Sequence, residues 1–74
     1  MSGRPQKRSL NLQGHQTSVT LEDEFWKAFR SIAQSKNMPL NALASEIDTM
    51  RDVDTGLASA IRCYVLEYYI DARS

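Results

Sequence analysis

A catalytic reading of this chain has few residues to start from. His15 is the only imidazole and Cys63 the only thiol, so a nucleophile and its base would have to be built around one example of each. Cys63 stands among Ile61, Tyr64 and Val65, where a buried, inert thiol is expected. His15 follows Gly14 and is in phase with Thr17 and Val19; it is expected to finish a turn by hydrogen-bonding backbone. Glu22, Asp23 and Glu24 look like a paired-carboxylate site, yet an acidic run equally suits the positive end of a helix. Asp52 and Asp54 flank Val53, but that run lacks the bidentate glutamate and the length of a calcium loop. One cysteine and one histidine cannot supply the usual four ligands of a structural zinc site. Glycines at 3, 14 and 56 make no phosphate loop. No enzymatic activity, no metal and no cofactor is expected.

The chain has 74 residues, 42% of them hydrophobic and 24% charged, the composition of one small soluble domain. A chain this short buries only about 60% of its unfolded surface. It lacks a disulfide to compensate, so a partner chain is the expected way to enlarge the core. No apolar run approaches ~18 residues and no signal peptide precedes the domain, so neither a membrane span nor export is expected. A lone cysteine fits a reducing cytoplasm. The nine basic and nine acidic residues cancel, but unevenly. Residues 1–20 hold Arg4, Lys7 and Arg8 and no acid, whereas residues 21–74 hold six bases and nine acids. A basic arm ahead of an acidic body suggests nucleic-acid contact through the arm.

Those residues need elements to position them. Residues 1–6 read as a disordered arm, and residues 7–74 as a single domain. From Arg8 to Leu21 the period is two: Leu10 and Leu12 alternate with polar residues, Gly14 marks a turn or bend, and Thr17, Val19 and Leu21 resume the alternation. Residues 16–21 carry the stronger strand signal. A helix follows directly. Thr20 and Asp23 have capping-box spacing, and Phe25, Phe29, Ile32 and Ala33 make one apolar face. Pro39 suits the first position of a second helix with a stripe of Leu40, Leu43, Ala44, Ile47 and Met50. Thr55 or Asp54 is expected to cap a third helix over about 57–72. Its inner face is Leu57, Ile61, Tyr64, Val65 and Tyr68. Leu66, Tyr69 and Ile70 add apolar surface on another side, which a second protein would cover.

A lone strand cannot satisfy its own backbone groups. The economical solution pairs the strands of two chains about a two-fold axis, with the helices packed beneath. Val19 and Leu21 then enter a shared dimer core with Phe25, Leu43 and Ile47. Gln16, Ser18 and Thr20 face outward, and a two-stranded ribbon carrying polar side chains fits the major groove of DNA.

The chain resembles the ribbon-helix-helix family, which includes the Arc and Met repressors. It is most similar to small bacterial proteins that open Gly-His-x-Thr-Ser-x-x-Leu-Glu-x-x-Phe-Trp, here Gly14 to Trp26. Leu40-Asn41-Ala42-Leu43, Glu46-Ile47-Asp48, Arg51 and Ser59-Ala60-Ile61-Arg62 with Val65-Leu66-Glu67 extend the match to about residues 7–70. The resemblance implies a mainly α fold: one intermolecular strand plus two to three helices, dimeric, with an antiparallel ribbon. It also implies that Gln16, Ser18 and Thr20 contact bases, and that the start of the second helix, Leu40 and Asn41, holds phosphate. Arg4, Lys7 and Arg8 of the arm would contact the DNA backbone. The expected function is a homodimeric DNA-binding transcriptional regulator. The alternative is a non-enzymatic interaction module, an accessory subunit that meets a larger complex through the third helix.

Overall fold

The alternating pattern on both sides of Gly14 closes on itself. In the computed structural model, which describes residues 4–73, β1 (Gln6–Leu12) and β2 (His15–Leu21) form an antiparallel hairpin. The two turn residues have positive φ, 54° at Gln13 and 89° at Gly14, the signs of a type I′ turn. Gly14 accepts that conformation without steric cost. The Asn11 Oδ1 atom accepts the Gly14 N–H at 3.0 Å and fixes the turn from the strand side.

This corrects the expectation of one strand awaiting a second chain: the ladder partner of β2 is β1. A two-residue turn closes the pair locally, with none of the association entropy that a second chain loses. Of the expected arm, residues 1–3 lie outside the described residues, Arg4 and Pro5 are exposed, and Gln6 already opens β1.

Below the hairpin lie α1 (Asp23–Ser35), α2 (Leu40–Met50) and α3 (Leu57–Ala72), with β1 over α2 and β2 over α3. Leu10, Val19 and Leu21 of the ribbon meet Phe29, Ile32, Leu43, Ile47, Ile61 and Val65 in one core. The residues expected to build a dimer core thus pack within a single chain. Val19, Leu21, Leu43 and Ile47 are buried, while Phe25 is half-buried at the margin, where the Arg62 guanidinium lies 5.8 Å from its ring centroid.

The connections explain where each helix stops. α1 ends in a Schellman arrangement: Asn37 takes φ 56°, its N–H reaches the Gln34 carbonyl, and the Met38 N–H reaches that of Ala33. Pro39 follows as the N-cap of α2, one residue earlier than expected. Arg51 closes the next loop by donating from Nε to Asp48 and from a terminal nitrogen to the Thr55 carbonyl, both at 2.7 Å.

Three local expectations fail. Thr20 lies inside β2 and Glu22 is the N-cap of α1 without a side-chain cap, so no capping box forms. Gly56, rather than Thr55 or Asp54, precedes α3. Cys63 is exposed, not buried. Buried Ile61 and Val65 each lie two residues away, and two residues along a helix is roughly half a turn.

Candidate nucleic-acid interface

The register sorts the ribbon into two faces. Arg8↔Val19, Leu10↔Thr17 and Leu12↔His15 alternate with Lys7↔Thr20, Ser9↔Ser18 and Asn11↔Gln16. The second set faces away from the helices, and all six of its side chains are exposed and polar. Gln16, Ser18 and Thr20 thus stand where the sequence placed them. The structure adds Ser9 and Asn11 beside them and turns Lys7 to the same face. Their signal was present in the sequence, because Ser9 and Asn11 alternate with Leu10 and Leu12. It is read only once the first half of the pattern is itself a strand.

Side chains from the helices hold the ribbon at both edges. The Asn11 N–H donates to the Asn41 Oδ1 atom of α2 at 3.0 Å. On the other side Arg62 of α3 donates to the Thr20 carbonyl at 3.1 Å and to the Glu22 carboxylate at 3.0 Å. A backbone N–H bond and then the Arg62 guanidinium hold the Glu22 carboxyl below the ordinary carboxylate range. The Asn41 contact brings the start of α2 beside the ribbon tip, across an open groove of about 540 Å³ lined by Asn11, Gln13, Asn41 and Ser45. Leu40 is half-buried against the core. The first N–H groups of α2 have no acceptor within the helix, whereas the Asn41 carboxamide oxygen is already committed to the ribbon.

The basic residues divide into those the fold uses and those it leaves out. Arg8 is used: its register position points inward, it pairs with Asp23, and its guanidinium lies 5.3 Å from the Trp26 ring centroid. That departs from its expected phosphate role. Lys36 donates to the Tyr64 hydroxyl at 3.0 Å, a bond that raises its pKa. Arg51 and Arg62 are also paired. Among the described residues Arg4, Lys7, Lys27 and Arg30 have no ion pair. Lys27 and Arg30 on α1, which sequence reasoning did not select, line a second groove of about 450 Å³ that reaches Leu40.

His15 and Thr17 are exposed despite their inward parity, because the ribbon tip overhangs the helices. They line a recess of about 350 Å³ with Ser45, Asp48, Thr49 and Arg51. Among the described residues no group of three or more His, Cys, Asp or Glu side chains gathers in metal-binding range, and no helix is long and apolar enough to cross a membrane.

A two-stranded ribbon with a polar outer face, clamped on helices whose second member starts beside it, is the ribbon-helix-helix architecture. The family model described as "Ribbon-helix-helix domain" matches residues 5–69, and the chain belongs to that family. Domains of this family are usually DNA-binding transcription regulators, typically without enzymatic activity, and they generally dimerise. No curated protein and no solved structure matches the chain.

Proposed function

We propose that this chain is a DNA-binding transcriptional regulator of the cytoplasm that lays the outer face of its ribbon in the major groove and works as a homodimer. One observation carries the reading. The outward side chains of both strands are polar, and the fold uses only that of Asn11, for the Gly14 N–H. A surface held rigidly from behind, with its donors and acceptors unspent, suits base edges. Asn and Gln carboxamides can bond adenine in bidentate fashion, and Ser or Thr can meet several bases. Arg4, Lys7 and the first amides of α2 at Leu40 and Asn41 supply phosphate contacts, with Lys27 and Arg30 flanking them. Membership of a generally dimeric family supports the homodimer.

The second reading, an interaction module of a larger assembly, is favoured by α3. There Leu66, Tyr69 and Ile70 remain 58%, 40% and 54% exposed. Fluorescence titration of labelled random duplex and of sequences enriched from it, at ~50 mM salt, separates the two readings. Enriched sequences binding well above the random background support the regulator; equal, weak binding to both removes it in favour of the module.

The arm residues behave differently in the same assay. Lys7→Ala is expected to weaken all DNA alike and to reduce the salt slope by about 0.9 per chain. Arg8→Ala is expected to leave that slope unchanged and to cost about 1 kcal/mol of stability through its lost ion pair and ring contact. Urea titration beside the salt series checks both. A flattened slope in Arg8→Ala would return Arg8 to the phosphate set.

A further inference from the structure

A ribbon made from two copies of one strand has a two-fold axis, so each outward side chain faces its own kind or reappears symmetrically across the axis. This ribbon has no such axis. Its outer rows are Lys7-Ser9-Asn11 and Thr20-Ser18-Gln16, and only the central Ser9–Ser18 pair is unchanged when the strands are exchanged. Two carboxamides, Asn11 and Gln16, stand side by side at the turn end. A cation and a hydroxyl, Lys7 and Thr20, stand at the other. Neither ladder edge is fully open to a second copy: Asn41 occupies the Asn11 N–H on β1 and Arg62 occupies the Thr20 carbonyl on β2.

We infer that a single chain is a complete and asymmetric reader, with Ser9 and Asn11 of β1 setting sequence preference alongside Gln16 and Ser18 of β2. This rests on the reading of the ribbon as a DNA-contacting surface. Its consequence is a target element without dyad symmetry, bound by one chain. Lys7 to Asn11 spans about 13 Å of strand, on the order of four base-pair steps. The carboxamide pair selects adenine beneath the turn, where each amide offers one donor and one acceptor to the N6/N7 edge. Lys7 marks the opposite end, toward guanine or phosphate. A homodimer assembled through any other surface carries two such ribbons and still uses one chain for each element.

The test is selection of full-length protein on randomised duplex, followed by titration of the enriched element far above its dissociation constant. The expected break falls at one chain per element, and the enriched sequence lacks dyad symmetry. Asn11→Asp keeps the oxygen that accepts the Gly14 N–H but removes the amide donor, so the turn is retained. It is expected to relax base preference about five- to a hundredfold at the turn end. Ser9→Ala, which removes no bond within the fold, is expected to relax a central position by a smaller factor. A break at two chains per element, a palindromic element, or unchanged preference in both variants overturns the inference and leaves DNA reading by the ribbon standing. Enrichment of no sequence at all overturns the DNA reading, and the inference with it.

Discussion

Val19→Asp will unfold the chain, whereas Ser18→Asp, one residue away, will move the melting temperature by only a few degrees. Val19 is 4% exposed within the core that joins the ribbon to the helices. A carboxyl group there loses the packing of two methyl groups and is either charged without a partner or neutral without a hydrogen bond. The expected cost is several kcal/mol, about 3–5. A domain of this size has roughly 3–5 kcal/mol of stability in total, so the folded population is largely lost. Ser18 faces Ser9 on the outer side of the hairpin and is exposed. A surface change there is worth within about 0.5 kcal/mol, or a few degrees for a domain of this length. Circular dichroism melts of the two variants decide the register. A cooperative melt for Val19→Asp and none for Ser18→Asp would mean that the strand is slipped by one residue, since such a slip exchanges the faces.

The helices were legible because each announces itself twice, by an apolar stripe and by its boundaries. Phe25, Phe29, Ile32 and Ala33 mark the inner face of α1. Pro39 and Gly56 then stand directly before α2 and α3. The hairpin was written just as openly, in Leu10, Leu12, Val19 and Leu21 around Gly14, but its first strand is ambiguous on local evidence. A basic stretch ahead of a strand reads as a tail until its alternate residues are seen to be apolar. Gln13-Gly14 is also a weaker turn signal than Asn-Gly, because glutamine has no special tolerance for positive φ. Arg8 was misread for a related reason. Its charge suggests solvent and phosphate, while its parity places it on the inner face, where only the tertiary structure supplies Asp23 and Trp26.

The caps show the same limit from the other side. Thr20 and Asp23 have the spacing of a capping box, but that pattern presumes that the chain leaves its strand before residue 20. Here β2 continues to Leu21, since burying Leu21 completely outweighs one side-chain cap. Cys63 was assigned to the core by its apolar neighbours in sequence. Helical geometry makes residues two apart poor guides to each other's burial. The polar face of β2 was the best-read part of the site, because a period of two places Gln16, Ser18 and Thr20 opposite Val19 and Leu21 whichever strand completes the ladder.

Converting both Gln16 and Ser18 to alanine should collapse sequence preference while leaving the fold and non-specific affinity in place. Both side chains are exposed, and among the described residues neither hydrogen-bonds within the chain. Their removal is therefore expected to change stability by less than about 0.5 kcal/mol each. The loss at the interface is larger. A bidentate glutamine–adenine contact carries about 1–3 kcal/mol of discrimination. Add a weaker serine contact, and the specific-to-random affinity ratio falls by roughly ten- to a thousandfold. Random DNA is held by phosphate contacts from Arg4, Lys7 and the start of α2, which the substitutions do not touch, so its affinity and salt slope should remain those of the wild type. The measurement is paired: the melting temperature and the affinity ratio on the same preparation. A well-folded double variant with an unchanged ratio would remove β2 from base reading, because its outward face would then contribute nothing beyond proximity. A lost melt would instead place Gln16 and Ser18 in the core, against the exposure on which the assignment of the outer face rests.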